Sequence, residues 1–188
     1  MKLHLADDEV LVRPVDIEAD IPELTAMLHR AYRELADLGF QYVASFQEED
    51  VTRRRAAKGT CLVAVSDGRL VGTITLYDAT QTAGCRWYDR IDVGHFGQFA
   101  VDPSFRSRGL GSALLDLVEA RAADLGIREL ALNTAEGVAH LIHYYERRGY
   151  RWIEHIDWGI NYASVILSKT VSRSMTPSTA FGDGHEAD

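Results

Sequence analysis

Cysteine, proline and positive charge are all in short supply: the 188 residues include two cysteines, four prolines, and 20 basic against 28 acidic side chains. Cys61 and Cys85 stand far apart with no further Cys or His at ligand spacing, which excludes a disulfide framework and leaves no metal site to expect. Cys61 lies in an apolar run and reads as a small buried hydrophobe. A net charge of −8 argues against a nucleic-acid partner, whose footprint would be a basic face. It suits a soluble enzyme and is compatible with a cationic substrate. No apolar run reaches membrane-spanning length and no charged-then-apolar leader opens the chain, so a cytoplasmic protein without a membrane partner is expected. Hydrophobic residues at 46% and charged residues at 26% set aside disordered and fibrous classes.

The length suits one domain, expected over residues 1–170. The composition shifts only at the end, where Ser, Thr, Gly and acidic residues predict a disordered tail over 171–188. Strands are predicted over 10–13, 60–65, 70–77, 94–101, 129–133, 150–157 and 162–169. The pair 60–65 and 70–77 flanks a hairpin turn at Ser66-Asp67-Gly68-Arg69. Helical spacing over 21–35 follows Asp20 as a cap, with Pro22 in the first turn. Further helices are predicted over 48–58, 109–125 and 138–148, stopped by Gly126 and Gly149. The fold class is therefore mixed α/β: a twisted, mostly antiparallel mixed sheet of about seven strands covered by about four helices.

The informative segment runs from Gln98 to Ser112. A strand ends at Asp102-Pro103, a short turn follows, and Arg106-Ser107-Arg108-Gly109-Leu110-Gly111 opens an amphipathic helix. The first turn of a helix presents unpartnered N–H groups at its positive end. Gly109 and Gly111 carry no side chain to hold an anion away, and Arg106 and Arg108 add charge, so the segment reads as a diphosphate cradle. A Walker A loop would need Gly-Lys-Ser/Thr, and a dinucleotide fingerprint a third glycine where Leu114 stands. Both fail on residues.

The cradle resembles the acetyl-coenzyme A loop of the GNAT superfamily of N-acetyltransferases, whose Arg/Gln-x-x-Gly-x-Gly/Ala pattern Arg106, Gly109 and Gly111 match. Downstream, Tyr144-Tyr145-Glu146-Arg147-Arg148-Gly149-Tyr150 is similar to the family's Leu-Tyr-x-Lys-x-Gly-Phe helix end. One departure is Val138, where many members place an Asn against pantetheine; Asn133 and Thr134 are the substitutes at hand. The resemblance implies that the strands flanking the cradle helix splay apart. Acetyl-CoA would then lie against Phe99, Ala100 and Val101, with its diphosphate on Arg106, Ser107, Arg108, Gly109, Leu110, Gly111 and Ser112. It also implies transfer of acetyl to a small-molecule amine, and homodimers are common in similar proteins. Alternatives are a protein or peptide N-acetyltransferase and a non-catalytic acyl-CoA-binding module.

By the same resemblance Tyr145 is the candidate acid for the departing sulfur; its spacing with Val138, Leu141 and Ile142 equally reads as a core stripe. His95, on the strand beside the thioester, is the candidate base, or else a strand histidine satisfied by hydrogen bonds. Phe40, Tyr42, Phe46, Trp87, Tyr88, Asp92, Trp158 and Asn161 are candidate acceptor contacts. Aromatics near the carboxylates of Asp89, Asp92 and Asp157 would suit a cationic amine. His140 and His143 read as surface or coenzyme-edge residues, and Arg53-Arg54-Arg55 as a solvated helix face.

Overall fold

The computed structural model describes residues 1–5 and 8–172; residues 173–188 of the expected tail lie outside them. Its strands are β1 (Lys2–Leu5), β2 (Asp8–Pro14), β3 (Thr60–Ser66), β4 (Arg69–Tyr77), β5 (Val93–Val101), β6 (Glu129–Ala135), β7 (Arg151–Ile156) and β8 (Ser164–Thr170). The helices are α1 (Ile21–Asp37), α2 (Glu49–Lys58), α3 (Leu110–Asp124) and α4 (Ala139–Arg147). One sheet of eight strands runs in the order β1-β2-β3-β4-β5-β6-β8-β7. Every neighbouring pair is antiparallel except β5 and β6, which α3 joins as a crossover.

Side-chain alternation divides the core between the two faces of the sheet. On one face Ile21, Leu24, Met27 and Leu28 of α1 pack over Cys61, Val63 and Leu70. On the other, Leu110, Leu114, Leu115 and Val118 of α3 pack with Val10, Ala64, Ile74, Leu130 and Leu167. Consecutive residues Val63 and Ala64 thus serve opposite cores, as a strand covered on both faces requires. The hairpin between β3 and β4 turns through Asp67 and Gly68, both at positive φ (48° and 75°), which is the mirror-image turn that matches strand twist.

Two local expectations are corrected. β1 is an eighth strand, in which Leu3 and Leu5 alternate inward against β2. Asp20 does not cap α1 with its side chain. Its carboxylate instead takes both guanidinium nitrogens of Arg13 (2.5 and 2.8 Å) and the backbone N–H of Asp16 (2.7 Å), because a charge-assisted bidentate pair is stronger than a neutral cap.

Candidate active site

The site begins with an interruption in β5. Thr73 pairs with Ala100 and Thr75 with Gly97, so Gln98 and Phe99 together face Ile74 as a bulge. Gln98 sits at φ 47°, a cost for a residue with a side chain. Its buried amide offsets that cost by accepting a 2.9 Å hydrogen bond from Gln47, whose Nε2 also reaches Thr52 at 2.7 Å while its Oε1 accepts from Arg55 at 2.5 Å.

Beyond the bulge the two parallel strands part. Pairing of β5 with β6 stops at His95 and Ala131, although β5 runs on to Val101 and β6 to Ala135. The Asp102 N–H donates to the Val71 carbonyl at 2.9 Å, and alternation from there turns Ala100 toward β4 and the main-chain groups of Phe99 and Val101 toward the gap. The Phe99 carbonyl accepts one bond in this arrangement, from the Tyr32 hydroxyl at 3.0 Å.

At the end of this open edge lies the start of α3. Ser107 (φ 62°) and Gly109 (φ 86°) turn the chain into the helix, and no side chain caps it. The first-turn amides of Leu110, Gly111 and Ser112 are therefore without intrahelical partners. A Cβ at Gly111 would stand in ordinary contact, 3.5 Å from the Val101 and 3.6 Å from the Phe99 side chain, so the start of α3 lies against these two residues of β5. Arg106 braces the turn by donating to Glu34 (2.7 Å) and to the Ala31 carbonyl (2.8 Å); Arg108 pairs with Asp8.

The strand edge and the turn before α3, through Arg106 and Ser107, line one cleft of about 1010 Å³, whereas the cradle candidates Arg108, Gly109, Leu110, Gly111 and Ser112 are not among its lining residues. Tyr145 of α4 lines it, 7% exposed, packed against Phe96 and Tyr150 with ring centroids 6.0 and 5.8 Å away. The ring packs in the core, as its spacing with Val138, Leu141 and Ile142 predicts, and the residue also lines the cleft. Burial raises its phenol well above the usual value, so it carries its proton at neutral pH. His95 is stacked between Tyr77 and Tyr88, at 4.6 and 5.0 Å, and its Nδ1 is 2.7 Å from the Thr82 hydroxyl. Burial, with the nearby charges of Lys58 and Arg55, pushes its pKa down to about 3.

The cleft gathers Tyr42, Tyr88, Trp158, Asn133 and Thr134, as well as His140, with Tyr145 and the β5 edge. The Tyr42 hydroxyl accepts from the Ala135 N–H and shares a bond with Thr134, both at 2.9 Å, pinning the loop after α1 to the end of β6. Tyr88 donates to Asn133 at 3.4 Å. Five of the acceptor candidates lie outside the cleft lining. Phe40 packs edge-on behind Tyr162, and Phe46 is 58% exposed. Asp92 is held by Arg90 at 2.8 Å, and Trp87 lies under the same guanidinium. Asn161 ties its own loop to Gly39 with a 2.6 Å bond. Tyr162, within the segment 158–162 that the sequence offered for the acceptor, also lines the cleft, and the lining tyrosines given no role in the sequence reading include Tyr32, Tyr77 and Tyr144. Tyr32, whose burial pushes its pKa up to about 12, had one usable signal, a polar-tipped ring beside the apolar stripe of α1.

The carboxylates that the sequence offered beside the aromatics are not among the lining residues. Asp89 and Asp157 accept from the backbone N–H groups of Gly84 and Gly159, and neither they nor Asp92 line the cleft. Arg54, Arg55 and Lys58 of α2 do, whereas Arg53 turns away to the Ile17 carbonyl and Glu18. The basic run is split between two directions because successive helical residues point about 100° apart.

These features, a sheet parted beside a glycine-opened helix, define a class. The acetyltransferase (GNAT) family profile matches residues 22–150, and the chain belongs to that family: it is an acetyltransferase. The S-(2-succino)cysteine N-acetyltransferase of Bacillus subtilis (strain 168) is 29% identical over 161 residues, 85% of this chain and 95% of that protein. Among solved structures, the GNAT domain of S. lividans PAT superposes with a TM-score of 0.68 at 22% identity, over 91% of this chain and 96% of that one. The acetyltransferase yncA of Salmonella typhimurium, solved with its cofactor acetyl-CoA, gives 0.65 at 15% identity over 90% and 98%. Among the described residues no helix is long and apolar enough to cross a membrane.

Proposed function

We propose that the protein transfers an acetyl group from acetyl-CoA to the primary amine of a small molecule, by direct attack while both are bound. The observation that carries this reading is one cleft lined by Arg106 and Ser107 in the turn before α3, by the open edge of β5 and by Tyr145. The residues present fit the donor. Amides of Leu110, Gly111 and Ser112 suit a diphosphate, and the Val101 and Phe99 main chain suits an extended amide-bearing arm laid on as an added strand. When bound, acetyl-CoA supplies an activated acyl group on a thiol leaving group.

The remaining work falls to side chains. Tyr145 holds a proton where a departing sulfur needs one. Backbone N–H groups of β5 beyond the bulge stabilise developing negative charge on the acyl oxygen. His95, neutral and too weakly basic to take a proton from an ammonium of pKa about 10, acts as a packing element between two tyrosines, and deprotonation of the amine is left to water. Tyr42 and Asn161, which fasten the loops over the cleft, favour a small acceptor over a peptide, which would need an open groove. Amino-acid-like amines are the first acceptors to try, since the Bacillus subtilis relative is named for one.

Calorimetric titration with coenzyme A, followed by amine-dependent thiol release from acetyl-CoA, tests the reading. Gly111→Val is expected to weaken coenzyme A binding at least tenfold by placing a branched side chain between helix start and strand. Unaltered affinity, or no binding by the unmodified protein, refutes the cradle.

A further inference from the structure

The α2 wall of the cleft is unlike the protein's average surface. In a chain of net charge −8, the cleft-lining residues of α2 are Arg54, Arg55 and Lys58. The lining includes one carboxylate, Glu34, which is paired with Arg106 at the cradle end. Among the described residues neither Arg55 nor Lys58 has an acidic partner within ion-pair distance: Arg55 donates to the neutral Gln47 amide at 2.5 Å, and the Lys58 ammonium stands 6.0 Å from the Tyr77 ring centroid. Arg54 is paired with Asp50 at the rim. Gly97 leaves the way open between this wall and β5, since a Cβ there would stand 3.8 Å from the Arg55 guanidinium.

We infer that Arg55 and Lys58 form a carboxylate-binding subsite, and that the acceptor is an amine carrying at least one carboxylate, an amino acid or amino dicarboxylic acid, rather than a di- or polyamine. This rests on the acetyltransferase reading and specifies its acceptor side. The guanidinium presents a planar fork that matches a carboxylate, while the ammonium contributes a point charge. Both line the same cleft as Gly97, Gln98 and Phe99 of the strand along which the acyl group would be placed. Cationic acceptors are disfavoured in the same place by like charge.

The test uses the full chain loaded with coenzyme A. Calorimetric titration with S-(2-succino)-L-cysteine, its methyl esters and putrescine reads binding without turnover, and thiol release from acetyl-CoA reads transfer to the same compounds. The free acid is expected to bind and react at least tenfold better than the esters, with putrescine poorest. In Lys58→Met, which breaks no protein hydrogen bond, that preference is expected to fall at least fivefold. In Arg55→Gln it should all but vanish, and Arg55→Lys should restore part of it, while the coenzyme A dissociation constant of Lys58→Met stays put. Equal or better use of esters or putrescine overturns the inference and leaves the acetyltransferase reading intact. So does a preference that survives both variants. Failure of coenzyme A to bind defeats the acetyltransferase reading, and failure of the free acid to bind defeats the subsite.

Discussion

Replacing Tyr145 by Phe removes one oxygen and little else. The ring packing against Phe96, Tyr144 and Tyr150 (centroids 6.0, 5.2 and 5.8 Å) is available to Phe unchanged. No residue hydrogen bond shifts this hydroxyl's pKa, so its loss orphans no buried partner and the melting temperature should hold. The effect belongs to the reaction. A thiol of ordinary pKa about 8.5 would leave as a thiolate into the same apolar surroundings that raise the phenol, and burial raises the proton affinity of both. The proton can therefore pass from one to the other although the phenol is the weaker acid in water. A charge-assisted hydrogen bond is worth about 1.5–3 kcal/mol, which at about 1.4 kcal/mol per tenfold predicts a kcat lower by roughly 10- to 150-fold. Thiol release at saturating substrates measures this, with coenzyme A affinity as the control. A second donor sharpens the test: an acetyl thioester of a more acidic thiol needs less protonation, so the deficit should shrink. A kcat within twofold on acetyl-CoA, or the same deficit on both donors, would refute the acid assignment.

His95→Gln should keep kcat within about tenfold, since a weakly basic ring has no proton to take at working pH, and the kcat/KM profile should lack a limb near pH 6.5 assigned to this residue. A loss beyond a thousandfold would restore it as the base. Because its folded pKa of about 3 lies below the ordinary value of 6.5, the unfolded chain binds the proton more readily. The stability linked to this ring is thus complete above about pH 6.5 and declines as pH falls toward 3; wild type and His95→Gln should differ in that window by denaturant titration. Asp102→Asn is the acid-side counterpart. Burial pushes this carboxyl up, but hydrogen bonds from Ser104 and the Arg30 guanidinium outweigh it and hold the pKa below the usual range. That contribution is present above the unfolded value and lost as pH falls through the folded one, so the variant should cost about 1–2 kcal/mol at pH 7, allowing for the solvent-open Arg30. The gap should narrow by pH 3, and an equal gap at both pH values would refute the linkage.

What could be read from the sequence was local. The turn into α3 was legible because Arg106 to Gly111 determine their own geometry within one turn, and α1 because Ile21, Leu24 and Leu28 repeat at helical spacing whatever they meet. β1 was not, since four residues carry too short an alternation and it is the pairing with β2 that makes them a strand. The Gln98 bulge escaped for a different reason: a positive φ at glutamine is stabilised by an amide 51 residues away, and no window of sequence contains both. The charge of the cleft wall was not legible. Acidic residues near aromatics looked available in the sequence, yet Asp89 and Asp157 serve their own turns, and Asp92 its neighbouring Arg90.

Gln98 also explains why a bulge needing positive φ is not simply built with glycine. Glycine would remove the backbone cost, but it would surrender the amide that joins β5 through Gln47 to Thr52 and Arg55, and its greater unfolded freedom would loosen the strand. The splay of β5 from β6 has to be held open, because each edge exposes backbone groups that would pair if the strands drifted together. Gln98 fastens the divergent strand to α2, and α2 is the helix that carries Arg55 and Lys58. The same chain of hydrogen bonds therefore fixes the edge on which the donor arm would lie and the guanidinium that would face the acceptor. Lys58 stands outside that chain, so Lys58→Met perturbs the charge of the wall alone, whereas Arg55→Gln perturbs charge and strand together; the difference between them measures how far acceptor recognition and strand geometry are coupled.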